Sequence, residues 1–229
     1  MPSSKSKKDK TLATKAQKRI IKLAKQKTSY GLEGAFKICV SGAAAGETVD
    51  MSKKKAYEIG KQIAMHGAVL LTGATTGLPY DAARGNYEHG GLCIGFSPAA
   101  TALAHVKSYK LPCNYHDVIV YTGFDYAGRN LLLTRASDAV ITIGGRIGTL
   151  NEFTIAFEDR KLIGVLVDSG GVADEISHIL NTAKKSLMAH IIFETDPKVL
   201  VQKMMETLET TNYGLYCVAP DFKRKKGRG

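Results

Sequence analysis

The chain's 229 residues, 44% apolar and 23% charged, suffice to bury a complete core, which excludes wholesale disorder and leaves room for one domain, or at most about one and a half. A formal charge of +11 spread evenly would point to nucleic acid or an anionic surface. Instead, residues 1–29 carry ten Lys/Arg and one acid, residues 222–229 carry five and none, and residues 30–221 are left at −3.

Taken in chain order, Met1 to Lys10 is polar and without periodicity, and is expected to be disordered. Leu12, Ala16, Ile20, Leu23 and Ala24 then recur at helical spacing among Lys and Arg. This basic amphipathic segment could lie on the domain, on RNA or on an anionic membrane. Phe36 to Ser41 predicts a first strand, Ser52 to Met65 a helix that Ser52 could cap, and Ala68 to Thr72 a second strand. The loop 73–77 leads to a helix opening near Pro79, where proline suits the first turn. Further strands are expected over 92–96, 118–121, 139–143 and 162–167, and helices over 125–136, 149–159, 171–184 and 196–210, with a short apolar run at 190–193. The weakly periodic stretch 98–116 is expected to be a connection spanning the sheet, and such connections sit where α/β folds bind ligands.

Continuous apolar strands, each followed by a helix long enough for a crossover, predict an α/β fold. It should be an open, doubly wound parallel sheet of about six to seven strands, Rossmann-like, with helices on both faces. The expected organisation is a basic extension (1–29), one nucleotide-binding domain (30–214) and a basic tail (215–229). Cys39, Cys93, Cys113 and Cys217 are widely spaced, with no C-x-x-C pair, which argues against disulfides or zinc. No apolar run approaches membrane-spanning length, no secretory signal follows the basic start, and a cytoplasmic protein is expected.

In such a sheet, ligands bind beyond the carboxyl ends of the strands. Glycine-bearing turns follow three of them: Gly42 to Gly46, Gly73 to Gly77, and Gly144-Gly145-Arg146-Ile147-Gly148-Thr149. Neither G-x-G-x-x-G nor the P-loop pattern occurs. The Gly144 turn opens a helix, whose unsatisfied N–H groups and positive dipole end suit a phosphate. Thr149 would add a hydroxyl and Arg146 a full charge. The same residues also fit a capping box, T-x-x-E, in which Glu152 folds back on a backbone N–H. Arg129 opens the helix before the fifth strand, either on the side of the Gly144 turn or as a surface residue paired with Asp125.

The stretch Gly128-Arg129-Asn130, followed by the run from Ala136 through Gly144-Gly145-Arg146-Ile147-Gly148-Thr149-Leu150-Asn151-Glu152, resembles the LOG-like superfamily. That family, long labelled "possible lysine decarboxylase", includes cytokinin-activating nucleotide phosphoribohydrolases and molybdenum-cofactor carrier proteins. Supporting similarity runs through Ile38 to Gly46 and Thr72 to Leu78, so the resemblance covers about residues 36–168. It implies hydrolysis of the N-glycosidic bond of a nucleoside 5′-monophosphate to free base and ribose 5-phosphate. Arg129 and Glu152 would be the catalytic pair, and Gly42, Gly73, Gly77, Gly144, Gly145, Arg146, Gly148 and Thr149 the ligand cradle, with no metal or resident cofactor. A carboxylate near the anomeric carbon would stabilise an oxocarbenium-like ribose and orient water, and an arginine would neutralise phosphate or assist the departing base.

Two departures, Asn130 where the hydrolases show Lys and Ile143 where they show Pro before the glycines, place the chain closer to the carrier and uncharacterised branch. The alternative is therefore a non-catalytic carrier or sensor of a phosphorylated cofactor. The resemblance also implies a homodimer or higher homo-oligomer. Nucleic-acid contact through the tails would be weak, non-specific and salt-sensitive, because residues 1–29 contain no stacking aromatic and 222–229 only Phe222.

Overall fold

The computed structural model describes residues 35–183 and 189–210. The basic amphipathic segment, the C-terminal tail and Cys217 lie outside the described residues. The elements run β1 (Lys37–Gly42), α1 (Glu47–Met65), β2 (Val69–Thr72), α2 (Leu78–Glu88), β3 (Leu92–Ser97), α3 (Ala102–Lys107) and β4 (Val118–Tyr121). They continue α4 (Asp125–Ala136), β5 (Ala139–Ile143), α5 (Ile147–Glu158), β6 (Leu162–Leu166), α6 (Val172–Ala183), β7 (Ile191–Glu194) and α7 (Pro197–Thr210).

The strands form one parallel sheet in the order β4-β3-β2-β1-β5-β6-β7, the open α/β sheet that the apolar runs predict. Strands β2, β5 and β6 are buried at every position, whereas the edge strands β4 and β7 are partly exposed. Burial on both faces needs two cores, because successive side chains point to opposite sides. One joins Ile38, Val40, Ile141 and Ile143 to Ile59 and Ile63 of α1, Leu78 and Ala82 of α2, and Leu200 and Met204 of α7. The other joins Cys39, Leu71, Val140 and Val165 to Leu133 of α4, Phe153 and Phe157 of α5, and Ile176 of α6. The site-bearing helices α4 and α5 thus share one face.

Most elements fall within two residues of their predicted bounds, and two do not. Helix α1 begins at Glu47 rather than Ser52, after Gly46 at φ 104°. Ser52 is buried inside the helix, and its hydroxyl donates to the Ser169 carbonyl at 2.9 Å instead of capping. The connection 98–116 contains α3, whose start is capped by Thr101 accepting from the Ala104 N–H at 3.1 Å. Its six residues are too few to show periodicity.

Two features fix the scaffold. Helices α1 and α2 touch backbone to backbone: a Cβ on Gly60 would lie 1.8 Å from the Ala82 carbonyl oxygen, and one on Gly85 2.0 Å from that of Tyr57. Gly60→Ala should therefore force the helices apart at a cost of about 1–3 kcal/mol, seen as a thermal midpoint lower by several degrees; an unchanged midpoint would contradict this close approach. Lys161, 1% exposed, donates from Nζ to the Ser137 carbonyl at 2.5 Å and holds the C-terminal end of α4, the helix that carries Arg129. Cys39 and Cys93 are buried free thiols, held well above the usual thiol range by burial, and Cys113 is exposed. No helix among the described residues is long and apolar enough to cross a membrane.

Candidate functional site

From β1 the chain steps outward to β2, β3 and β4, then returns to the other side of β1 for β5, β6 and β7. This reversal makes β1/β5 the topological switch point, beyond whose carboxyl ends a crevice must open. A cavity of about 430 Å³ lies there, lined by residues of the β1–α1 and β2–α2 loops, the connection before β4, and the starts of α4 and α5. Of the residues singled out in the sequence, Gly42, Gly73, Arg129, Arg146, Gly148, Thr149 and Glu152 line it; Gly77, Gly144 and Gly145 do not.

The carboxylate of Glu152 is buried and held from two sides. The Ser41 hydroxyl, at the end of β1, donates to Oε2. The Asn130 amide, oriented with its nitrogen toward its acceptors, donates to Oε1 and to the Tyr126 carbonyl at 2.9 Å each. Arg129 Nη1 stands 4.0 Å from Oε1, with both side chains less than a tenth exposed. Burial pushes the Glu152 carboxyl above its ordinary range, and the Arg129 charge and the Ser41 bond pull it only partly back.

These contacts decide two questions the sequence leaves open. Helix α5 begins at Ile147 after Arg146, so Thr149 sits inside its first turn and is not its cap, and Glu152 bonds across the sheet. Arg129 is not paired with Asp125, which accepts from the Tyr109 hydroxyl instead. Space for the guanidinium comes from Gly73, where a Cβ would lie 1.6 Å from Arg129 Nη1.

The turn after β5 splits into an inner and an outer part. The Gly144 N–H donates to Ser169 Oγ at 2.8 Å, and the Gly144 and Gly145 carbonyls accept from the Ala173 and Val172 N–H groups at the start of α6. These glycines, at φ 53° and 96°, lock the turn onto α6 from behind. Its outer part faces the cavity. The first backbone bond of α5, from Leu150 N–H to the Arg146 carbonyl at 3.0 Å, leaves the N–H groups of Ile147, Gly148 and Thr149 ahead of it, a ready anion site. Gly77 acts as a joint between loops, its Cβ position only 2.2 Å from the Ala43 carbonyl oxygen.

Sequence reasoning missed Ser41 and the roles of Asn130 and Tyr126; it did expect the connection 98–116 to lie where ligands bind, and the strap Tyr109-Lys110-Leu111 within it lines the cavity. Ser41 had one legible signal, its place beside Gly42 at the carboxyl end of a strand; the strap's signal was the weak periodicity of its connection, which named no residue. Arg146 and Lys110 add exposed cations to the lining, and neither forms an ion pair among the described residues. The described residues contain no cluster of three or more His, Cys, Asp or Glu able to hold a metal ion.

Comparison with known proteins places this geometry in a family. An uncharacterized protein of Archaeoglobus fulgidus is 32% identical over 123 residues, 53% of this chain and 75% of its own length. The X-ray structure of TM1055 is 28% identical, with a TM-score of 0.65, over 75% of this chain and 99% of that one. The Moco carrier protein of Chlamydomonas reinhardtii shares the fold at 24% identity and a TM-score of 0.62, over 76% of this chain and 97% of that one. The model of the SLOG cluster4 family matches residues 35–201, the whole sheet and every wall of the cavity, and the chain belongs to the SLOG cluster4 family.

Proposed function

We propose that the cavity binds a phosphate-bearing, nucleotide-type ligand and hydrolyses the N-glycosidic bond of a nucleoside 5′-monophosphate. The observation that carries this reading is the fixed, buried Glu152 carboxylate facing Arg129 in the same cavity that the open N–H end of α5 borders. Gly148 and Glu152 are four residues apart, a rise of about 6 Å, comparable to the span from a 5′-phosphate to the anomeric carbon. With the phosphate on the N–H groups of Gly148 and Thr149 and on Arg146, the anomeric carbon falls near Glu152.

In this reading, the C1′–N bond breaks and its electron pair leaves with the base, which takes up a proton from solvent as Glu152 returns to solvent the one it accepts. Water adds its oxygen to C1′ and gives a proton to Glu152, while the carboxylate stabilises the positive charge on the ribose. The decisive experiment incubates the protein with AMP, GMP, CMP and isopentenyl-AMP and measures free base. Release from at least one is expected, and no release from any would exclude hydrolysis of these monophosphates. Gly148 offers a separate test of the phosphate seat. A Cβ there meets nothing within 4 Å, so Gly148→Ala should keep or slightly raise the thermal midpoint, since alanine is the better helix former. Its methyl would narrow the seat and weaken monophosphate binding about tenfold by titration; unchanged affinity would move the phosphate elsewhere.

A second reading, a non-catalytic carrier of a phosphorylated cofactor, is favoured by Asn130. Its amide donates to the Glu152 oxygen that faces Arg129 and so competes with an attacking water for that carboxylate. The Chlamydomonas protein of similar fold is itself a carrier. Mass spectrometry of freshly purified protein should then show a bound phosphorylated ligand that Thr149→Ala loses.

A further inference from the structure

Two histidines of the connection before β4 line no part of the cavity, yet each is tied to the end of a strand in the same way. The hydroxyl of Thr72, at the end of β2 and wholly buried, stands 2.7 Å from His116 Nε2 and accepts the Ala74 N–H at 3.1 Å, while His116 Nδ1 lies 3.0 Å from the Asn114 carbonyl. One strand further out, Ser97 at the end of β3 stands 2.8 Å from His105 Nδ1 and accepts the Ala99 N–H at 3.0 Å, while His105 Nε2 lies 3.1 Å from the Pro112 carbonyl. The two rings differ in access. His105 is fully buried, whereas His116 is partly exposed and open to solvent protons.

The partners of His116 fix its protons. A carbonyl only accepts, so Nδ1 carries the hydrogen, and Nε2 of the neutral ring must accept from Thr72. A second proton would sit on Nε2. Two donors, Nε2–H and the Ala74 N–H, would then converge on Thr72 Oγ1, and the buried hydroxyl hydrogen would lose its acceptor. Burial already pulls the ring below the ordinary histidine range, and the Asn114 carbonyl pulls it only partly back. Of the titratable groups around it, His105 of α3 opposes the proton, Asp117 is turned to the Cys93 N–H at 2.8 Å, and Tyr115 leans on Tyr80 and Tyr87 of α2. Strand β2, the turn after it and β3 present Thr72, Ala74 and Gly95, which carry no charge.

What the ring holds is one wall of the cavity. Ala74 sits at φ 52°, a left-handed conformation that alanine enters only when held there. Gly95 of β3 leaves the room, since a Cβ on it would lie 2.8 Å from both the Ala74 Cβ and His116 Cδ2. The neighbours of Ala74 line the cavity: Gly73, against which the Arg129 guanidinium rests, and Thr75 and Thr76.

We propose that His116 is a positioning residue that makes the ligand site sensitive to pH. Its neutral ring latches the connection before β4 to the turn after β2, and protonation releases the turn that seats Arg129, so that ligand affinity falls as the solution turns acidic. The effect on affinity rests on the phosphate reading above; the latch itself does not.

NMR on the full chain without ligand reads the latch directly. Imidazole nitrogen shifts should show the Nδ1–H tautomer at neutral pH and a titration below about 6.5, and the Gly73 amide and Arg129 Nε–H signals should move with it. In His116→Gln, whose side-chain oxygen can still accept from Thr72, those two signals should stay still over the same range. The thermal midpoint of His116→Gln relative to the parent should rise as pH falls, because a ring with a depressed folded pKa withdraws stability as pH falls through that value. An Nε2–H tautomer, or Gly73 and Arg129 signals indifferent to the ring, would overturn the latch. Binding of AMP, GMP and CMP is then titrated in Glu152→Gln, which leaves the nucleotide intact and removes that carboxyl's own titration. Between about pH 7.5 and about pH 5, affinity should fall about tenfold more than when His116→Gln is added, a comparison in which the phosphate's own second ionisation near about 6 cancels. Thr72→Val, which takes the hydroxyl from both partners, should bind at neutral pH about as weakly as the same chain with Thr72 does in acid. Parallel profiles with and without His116, where a nucleotide binds, would sever the latch from the site and overturn the proposal. If no nucleotide binds at any pH, the phosphate reading falls, and the ligand-free signals alone decide the latch.

Discussion

Exchange of Glu152 for glutamine is expected to lower the rate of free-base release by about a hundredfold or more, the usual contribution of a positioned general base. Glutamine keeps the size, can still accept from Asn130 through its oxygen and can donate from its nitrogen to the Ser41 hydroxyl, so the charge is lost and the Ser41 bond is reversed. The same change carries a pH signature. In the proposed hydrolysis the active form would be the ionised carboxylate, and burial holds its pKa above the ordinary range. The acidic limb of the parent's rate profile should therefore lie above that of an exposed glutamate, and any residual activity of E152Q should be flat across it. The sign for stability runs opposite. A carboxyl whose folded pKa is raised contributes stability that is fully present below the unfolded value and is lost as pH rises through the folded value. The thermal midpoint of E152Q relative to the parent should therefore climb with pH across that window. Parent-like turnover in E152Q, or a midpoint difference independent of pH, would remove Glu152 from the chemistry or from the charged state assigned to it.

A single methyl group at Gly73 should disable the site without unfolding the protein. The added carbon would fall 1.6 Å from Arg129 Nη1 and 2.7 Å from Cζ. What it strikes is the end of a side chain and not backbone, so the guanidinium can swing aside at little cost to the fold. Turnover in Gly73→Ala should fall about a hundredfold, as expected when a preorganised electrostatic partner is lost, with a thermal midpoint within a few degrees of the parent. Because Arg129 also holds the Glu152 carboxyl down, its displacement should move the acidic limb further up. Arg129→Ala should reproduce both effects. If Gly73→Ala turns over like the parent, the position of Arg129 beneath that turn has no part in catalysis.

The strands were legible because a parallel sheet covered on both faces writes itself as unbroken apolar runs, as in Ala139–Ile143 and Leu162–Leu166. The start of α1 was not, because its first turn, Glu47-Thr48-Val49-Asp50, points little apolar surface inward. Ser52 looked like a cap for the same reason that Thr149 and Glu152 looked like a capping box: sequence offers only local partners, and both Ser52 and Glu152 bond to residues more than a hundred positions away. Glycine loops after strands marked the correct edge of the sheet, yet could not tell Gly148, which faces the cavity, from Gly144 and Gly145, which turn their carbonyls to α6. The connection 98–116 was placed at the ligand edge without its lining residues, and Ser41 and the role of Asn130 stayed hidden because they exist only once distant segments meet.

The pairing of β1 with β5 has a bearing on how the molecule comes together. β1 to β4 can assemble through successive neighbours, and so can β5 to β7. Within the sheet the two groups pair only at this seam, where Lys37 meets Asp138 and Ser41 meets Glu152 at separations of 101 and 111 residues. Contacts so far apart in the chain carry the greatest loop-closure cost and are expected late in folding. The cavity straddles that seam, drawing one wall from each group, so it cannot pre-exist in either half. A bound phosphomonoester would then act as a clasp between two folding units, slowing their separation and raising stability with the logarithm of one plus the ratio of its free concentration to Kd.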